Sequence, residues 1–170
     1  MITDLLEPTE FNPYFAQYIN LASSNDILES LAKSMLVTHD FFENISKEKL
    51  NYRYADGKWT PLQVLLHIID TERVFAYRAL YFARSNGGKL VGFDQDEFIE
   101  NTSSDLHLDE LLKEFIAVRT ATISLFKSFN ENTLKKKGIA SGNELSVRAA
   151  GYIICGHEVH HINIIKERYL

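Results

Sequence analysis

The segment His157-Glu158-Val159-His160-His161 places three of the six histidines of this chain within five consecutive residues. On a helix, His157 and His161 are four residues apart, so their imidazole rings project from the same face one turn apart. This spacing lets two imidazoles bind one metal ion, and the residues also match the H-E-x-x-H pattern of zinc proteases. The chemistry depends on a third ligand, because catalytic zinc takes three protein ligands and keeps one position open.

The protease interpretation fails on the residues that follow the motif. One class of these proteases takes its third ligand from the pattern H-x-x-G-x-x-H, and the corresponding positions here hold Ile164 and Glu167. Another class takes it from a glutamate much further downstream than the sequence extends. We therefore expect the match to be coincidental and the third ligand to come from upstream.

Among the upstream histidines, His67 is the best candidate for that ligand. It interrupts the apolar run 62–69, and a buried neutral imidazole needs a partner for each ring nitrogen. A lone buried histidine is more often bonded to a neighbouring side chain in the core, but the histidine pair elsewhere in the chain favours the ligand interpretation. His107 lies in a polar stretch and is expected to be solvated or to cap a helix, and His39 stands between polar neighbours.

Spacing alone does not choose between His160 and His161 as the partner of His157, because residues three and four apart both lie near the same helical face. His160 is expected to be either an acid or base at the edge of the site or a surface residue, and the second interpretation is favoured. Glu158 lies about 100° around the helix from His157. A structural role for Glu158 is therefore expected ahead of a general-base role.

Four long helices are predicted to position these residues. The clearest start has Thr60 as N-cap, Pro61 at the first helical position and Gln63 completing a capping box, and this helix runs to about Arg84. Cap residues and apolar periodicity predict the others: from Ser23–Asp26 to before Asn51, from Asp105 to about Phe129, and from Ser146 almost to Leu170. We expect an all-α four-helix bundle, with the site between facing helices.

Several further expectations concern the surroundings of the site. The long connection 85–104 is expected to be functional or partly structured, and a second loop is expected to cross Gly138 and Gly142. Trp59 is expected either to line the mouth of the site or to close the end of the bundle. Asp70 is a candidate hydrogen-bond acceptor for a ligand or an arginine. Ion pairs between helices are expected from three charged residues, Glu72, Arg73 and Arg78.

Composition predicts one domain spanning residues 1–170, with no nucleic-acid or membrane partner. The net charge of −5 argues against broad nucleic-acid binding, which requires a basic face. No apolar run approaches the ~20 residues of a membrane-spanning helix, and no secretion signal is visible. The single cysteine, Cys155, excludes an intrachain disulfide and fits a reducing compartment, so a cytoplasmic location is expected.

Three blocks of sequence resemble the DinB/YfiT-like superfamily of metal-dependent enzymes: 54–60, 67–73 followed by Arg78, and 156–162. The resemblance covers nearly the whole chain and implies an up-and-down-type four-helix bundle. It also implies a divalent metal held by three histidines, His67, His157 and His161. Some members are similar to S-transferases that use low-molecular-weight thiols such as bacillithiol or mycothiol, so a small-molecule substrate and such a thiol are the implied partners.

Two classes of function remain. The favoured one is a metalloenzyme, in which three neutral histidines leave the metal its positive charge and open positions for a thiol or water. Thiol S-transfer is the favoured reaction and hydrolysis of a small molecule is the alternative, with zinc or nickel favoured because the triad contains no carboxylate. The other class is a non-catalytic helical bundle that acts as a homodimer. No individual catalytic residue is predicted.

Overall fold

The computed structural model describes residues 1–103 and 105–170. Four long helices, α2, α4, α6 and α8, form the body of the molecule. The elements in chain order are α1 (Ala16–Ile19), α2 (Ile27–Glu43), α3 (Lys47–Leu50), α4 (Pro61–Arg84), β1 (Lys89–Leu90), α5 (Gln95–Glu100), α6 (Leu108–Lys127), α7 (Glu131–Leu134), β2 (Lys137–Ala140), β3 (Asn143–Ser146) and α8 (Val147–Arg168). Two 3₁₀ turns, Ile2–Leu5 and Pro13–Phe15, precede α1. Within this part of the chain, no helix combines the length and apolarity that crossing a bilayer requires.

The four long helices pack in a cyclic order in which α8 and α6 each contact both α2 and α4. Helices α2 and α4, although consecutive long helices, therefore lie across the diagonal of the bundle, as do α6 and α8. The up-and-down-type arrangement implied by the resemblance would place them side by side, so that part of the expectation is wrong. The reason lies in the connections 44–60 and 128–146, which are long enough for the chain to cross the ends of the bundle.

The helix starts follow the local signals in the sequence. Thr60 and Gln63 form the predicted capping box of α4, with Pro61 in its first turn. The Asp26 carboxylate accepts a hydrogen bond from the Leu28 backbone N–H at the start of α2. At α8, the hydroxyl of Ser146 accepts one from a backbone N–H in the same way. These predicted caps are confirmed. They could be predicted from the sequence because a cap depends only on residues within one turn.

The connections contain more structure than the sequence predicts. The segment 85–104 holds β1 and α5, and the expected loop through Gly138 and Gly142 is instead the hairpin of β2 and β3. Strand β2 pairs with β1 in parallel and with β3 antiparallel. Ser141 and Gly142 both have positive φ, 51° and 79°, as a two-residue hairpin turn requires. The strands are too short to show an alternating pattern, so sequence periodicity did not reveal them.

The hydrophobic core has two parts, one towards each end of the bundle. One contains the C-terminal half of α4 and the N-terminal half of α8, and the other contains the opposite halves of the same helices. Between them lies a set of buried polar side chains, here called the polar layer: Ser34, Thr38, Glu72, Arg119 and Glu158. The histidines of interest lie next to this layer, where the apolar core is interrupted.

Candidate metal centre

The imidazoles of three histidines converge between α4 and α8. His67 Nε2 and His157 Nε2 are 3.1 Å apart, and His157 Nε2 and His161 Nε2 are 3.0 Å apart. One ring nitrogen from each of the three lies within 4.8 Å of the others. The i, i+4 spacing on α8 places two of the rings together, and the packing of α4 against α8 adds the third.

Burial keeps these imidazoles neutral at physiological pH. Desolvation lowers the pKa of His67 to about 4. The pKa of His161 is lowered to about 3, by desolvation first and then by the neighbouring His67 and His160. The pKa of His157 is also well below its ordinary value, because this ring is desolvated and faces the other histidines. Neutral imidazoles are the form that binds a metal ion.

The donor set fits a divalent metal ion. Zinc–nitrogen distances of about 2.0–2.1 Å with tetrahedral angles place neighbouring ligand nitrogens about 3.3–3.4 Å apart, close to the separations of 3.0 and 3.1 Å found here. The Nδ1 atom of His67 lies 3.4 Å from the Thr71 hydroxyl. A proton on Nδ1 directed at Thr71 would leave the Nε2 lone pair facing the centre of the cluster.

An open cavity lies beside His161. Its volume is about 330 Å³, and its walls include aromatic side chains of the segment before α4 and of the C-terminal end of the chain, with charged groups among them: Tyr54, Trp59, Tyr169, Lys58 and Asp96. His161 is half-buried, whereas His67 and His157 are buried. A small molecule would therefore reach the cluster from the His161 side.

Trp59 satisfies both expectations made for it. Its ring centroid lies 4.9 Å from that of His67, and its side chain lines the cavity. Its backbone carbonyl also accepts a hydrogen bond from the Tyr169 hydroxyl at 2.6 Å, which fixes the end of the chain after α8 to the segment before α4. The Trp59 side chain also packs against the part of the core at this end of the bundle, so it both covers that end and forms a wall beside the histidine cluster.

Sequence reasoning missed Tyr18 and the glycine that lets it approach. The Tyr18 ring packs edge-on against His157, with ring centroids 5.4 Å apart. A Cβ atom on Gly156 would lie 1.7 Å from the Tyr18 carbonyl oxygen, so only glycine allows α1 to pack this closely on α8. The Gly156 immediately before the histidine motif was the available signal, since an interior helical glycine is unfavourable unless packing needs it.

The remaining histidines stay outside the cluster. His160 is half-buried, and its ring packs against Tyr18 with centroids 5.0 Å apart. His107 is exposed and is the N-cap residue of α6, without a side-chain cap hydrogen bond. His39 lies 3.7 Å from a carboxylate oxygen of Glu43 on the same helix. Cys155 is a buried free cysteine.

Glu158 belongs to the polar layer, not to the histidine cluster. It is fully buried, and its Oε2 atom accepts a hydrogen bond from the Thr38 hydroxyl at 2.7 Å. Its Oε1 atom lies 3.0 Å from Arg119 Nη2, without the alignment of a hydrogen bond. Arg119 also binds Glu72, with Nη2–Oε2 at 2.8 Å. These contacts agree with the structural role expected for Glu158.

The other charged residues of α4 divide into two groups. Glu72 pairs with Arg119, and Arg73 pairs with Glu114 at 2.6 Å as well as with Asp70 at 3.2 Å. These are the expected ion pairs, and Asp70 has an arginine as its partner. The expectation for Arg78 is wrong, because no carboxylate of the described residues lies within ion-pairing distance of its guanidinium.

The fold and the cluster define a helical-bundle protein with a site suited to a metal ion. A family model described as the DinB superfamily matches residues 31–165. The chain belongs to this superfamily, and the resemblance found in the sequence is confirmed.

One sequence relative and one similar solved structure extend this finding. A protein of Oceanobacillus iheyensis named "Putative metal-dependent hydrolase" is 26% identical over 146 residues, which cover 83% of this chain and 84% of the relative. The solved structure of YfiT from Bacillus subtilis, described as "a probable metal-dependent hydrolase with an unusual four-helix bundle topology", matches with a TM-score of 0.71 at 17% identity. The match covers 95% of this chain and 89% of that one, and it confirms the expected DinB/YfiT-like bundle.

Proposed function

We propose that this chain is a metal-dependent enzyme in which His67, His157 and His161 hold one divalent ion, zinc or nickel. We further propose that it transfers a low-molecular-weight thiol, of the bacillithiol type, to an electrophilic small molecule. The observation that carries the proposal is the convergence of three neutral imidazole nitrogens beside an open cavity. An ion held there would supply positive charge that lowers the pKa of a thiol or a water molecule brought to it.

The chain's own residues favour a thiol over water as the nucleophile. The three imidazoles carry no charge, so they leave the charge of an ion undiminished. Glu158, which would be the general base in an H-E-x-x-H hydrolase, is instead held by Thr38 and Arg119. A thiol needs less help from a base, because its pKa of about 8.5 is far below that of water.

The cavity beside His161 is the proposed binding site of the electrophilic substrate. Its volume of about 330 Å³ suits a small molecule, and its aromatic walls would hold an apolar electrophile next to His161. In the transfer, the thiol loses its proton to solvent and its sulfur forms a bond to the electrophilic carbon. The leaving group departs with the electron pair of the bond that breaks.

Hydrolysis of a small molecule is the second candidate. The name of the Oceanobacillus iheyensis relative supports it. Three neutral histidines are also the ligand set with which zinc activates water near pH 7 in some enzymes. The two candidates differ in the nucleophile, so they are separable by measuring whether turnover depends on an added thiol.

The first experiment is elemental analysis of protein purified without a nickel column. We expect about one zinc or nickel ion per chain. Turnover of chlorodinitrobenzene should then be measured with bacillithiol, mycothiol, glutathione and cysteine, and turnover of p-nitrophenyl acetate without a thiol. Thiol-dependent turnover supports S-transfer, and thiol-independent ester cleavage supports hydrolysis.

Matched variants connect metal content and turnover to the cluster. His161→Ala should lose the metal and the turnover together, whereas His160→Ala removes the adjacent imidazole outside the cluster and should keep the metal. Protein without bound metal, whose melting temperature does not change on chelation, would contradict the proposal and favour a non-catalytic bundle. Sedimentation would then show whether that bundle is a homodimer.

A further inference from the structure

Arg78 is buried without a carboxylate partner among the described residues. Only 3% of it is exposed, yet its recorded hydrogen bonds come from Nη2 alone, to Ser141 Oγ at 2.9 Å and to the Val91 carbonyl at 3.5 Å. The described residues supply no acceptor for its Nε or Nη1, and neither atom is fully enclosed by protein, so both remain in contact with solvent. A guanidinium has five N–H donors, so most of its donor capacity is unused.

Arg119 is also buried, and in contrast to Arg78 its guanidinium is paired with acidic and polar side chains. It binds two carboxylates, Glu72 and Glu158, and also donates to the Ser34 hydroxyl. Burial alone would lower the pKa of Arg119, but these carboxylates raise it. No carboxylate of the described residues compensates Arg78 in this way, and desolvation lowers its pKa.

Aromatic rings offset part of this cost without providing a counter-charge. The Arg78 guanidinium carbon lies 4.8 Å from the centroid of the Phe75 ring and 5.9 Å from that of Phe93. Such contacts attract the guanidinium to the ring faces, but neither ring carries a negative charge that could pair with it. The arrangement therefore remains complementary to an anion.

Arg78 lies at the floor of an open groove of about 500 Å³, here called the Arg78 groove. Its walls are mainly apolar: Val74, Tyr77, Val91, Phe93 and Phe98. Val91 is 89% exposed, Tyr77 54% and Phe98 42%. Apolar side chains exposed together around a concave surface are typical of a binding site.

The charges at the rim of the Arg78 groove restrict the kind of anion that can bind there. Asp94 and Glu97 both line the groove. The Asp94 carboxylate accepts hydrogen bonds from the backbone N–H groups of Asp96 and Glu97 at the start of α5, so it is held away from Arg78. Negative charge at the rim repels a polyanion such as a nucleotide, and a single carboxylate carried on an apolar body fits better.

The Arg78 groove is separate from the histidine cluster. Arg78 follows His67 by eleven residues on α4, which corresponds to about 16 Å along the helix axis. Arg78 also borders a cavity of about 180 Å³ on the side of the hairpin. That cavity is below the ~300–1,000 Å³ usual for ligand pockets, so the larger groove is the candidate site.

We propose that the Arg78 groove is a second binding site of this protein, which takes a small monocarboxylate with an apolar body. The carboxylate pairs with the unused N–H groups of the guanidinium, whose planar fork matches two carboxylate oxygens. The apolar body lies against the walls formed by Val91, Phe93 and Phe98. This site does not depend on the metal chemistry proposed above.

The test is calorimetric titration of phenylpropanoate into the full chain after treatment with a chelator, so that binding to a metal ion does not contribute. We expect saturable binding at one site. The neutral analogue phenylpropanol and inorganic phosphate should each bind about tenfold more weakly or worse, because the first lacks the charge and the second lacks the apolar body. Absence of saturable phenylpropanoate binding, or phosphate binding as tight as that of phenylpropanoate, would overturn the proposal.

Variants of Arg78 and Ser141 test whether phenylpropanoate binds at the guanidinium. Arg78→Met should weaken phenylpropanoate binding by about tenfold or more, since a charge-assisted bidentate pair is lost. Ser141→Ala is the matched control, because it removes an acceptor of Arg78 but keeps the guanidinium, and it should retain binding. If Arg78→Met fails to fold, Arg78→Lys keeps the charge without the fork and should bind several-fold more weakly than the wild type. Wild-type affinity in both Arg78 variants would show that Arg78 is a structural residue only.

Discussion

The polar layer and the histidine cluster are neighbours on α8, but the polar groups in them differ in their partners. In the polar layer, Arg119 is surrounded by Glu72, Glu158 and a serine hydroxyl, so donors and acceptors of the same chain meet each other. In the cluster, the nitrogens of His67 and His157 face each other, and an open cavity lies beside His161. Glu158 and His157 are adjacent in sequence, yet only the histidine faces a position that a ligand could fill. A buried polar group with a structural role can thus be identified because its partner belongs to the same chain.

Removal of Arg119 should have the largest effect on stability. Arg119→Met leaves Glu72 and Glu158 as buried carboxylates without a counter-charge, which we expect to lower the free energy of unfolding by about 3–5 kcal/mol. Denaturant unfolding followed by circular dichroism measures this loss. Arg73→Met removes a more exposed arginine of α4 and should cost about 1 kcal/mol or less. Equal losses in the two variants would contradict the structural role of the polar layer.

Removal of His161 should affect metal content and turnover and leave the fold intact. The ring is half-buried beside a cavity, so His161→Ala leaves no unpaired charge in the core. We expect about a hundredfold or greater loss of metal affinity and the loss of turnover with it, since two ligands bind an ion far more weakly than three. Elemental analysis and turnover measure both effects, and His39→Ala controls for loss of an imidazole. A metal content unchanged by His161→Ala would contradict the ligand assignment.

Features set by neighbours in the sequence could be predicted. The capping box of Thr60 and Gln63 and the spacing of His157 and His161 both act within about one helical turn. The burial of His67 followed from the apolar run around it. Local spacing does not link His67 to the pair on α8. The resemblance to the superfamily was needed to assign all three histidines to one site.

Features set by distant partners could not be predicted. Arg119 meets Glu158 only after α6 and α8 pack against the other helices, and no sequence pattern links the two residues. Arg78 lies on α4 among charged residues that do form ion pairs, which led to the wrong expectation for it. The diagonal placement of α2 and α4 depends on how the connections cross the bundle ends, and such loops carry little periodic signal.

Acid should destabilise the metal-free protein through the histidine cluster. The pKa values of about 4 for His67 and about 3 for His161 lie below the unfolded value near 6.5. The unfolded state therefore takes up protons first as the pH falls, and stability present above pH 6.5 is lost towards pH 4. At pH 5 this amounts to about 2 kcal/mol for each histidine.

Chemical denaturation of chelated protein at pH 7 and pH 5 measures the effect. The matched comparison is His161→Ala, in which one of the titrating groups is absent, so the difference between the two pH values should be smaller than in the wild type. The variant His39→Ala should keep the wild-type difference. An identical pH dependence in all three proteins would show that the cluster does not control acid stability.

The smallest net effect is expected at Gly156, where two backbone effects compete. Alanine in place of an interior helical glycine stabilises a helix by about 1 kcal/mol. Here, however, its Cβ would lie 1.7 Å from the Tyr18 carbonyl oxygen, and a backbone atom cannot move aside unless α1 moves with it. Overpacking of this kind costs about 1–3 kcal/mol, so we expect Gly156→Ala to be destabilising by up to about 2 kcal/mol. Because displacement of α1 also takes the Tyr18 ring away from His157, metal affinity should fall in the same variant. Denaturant unfolding and metal titration measure the two effects, and a more stable variant with unchanged metal affinity would show that the contact between α1 and α8 does not support the cluster.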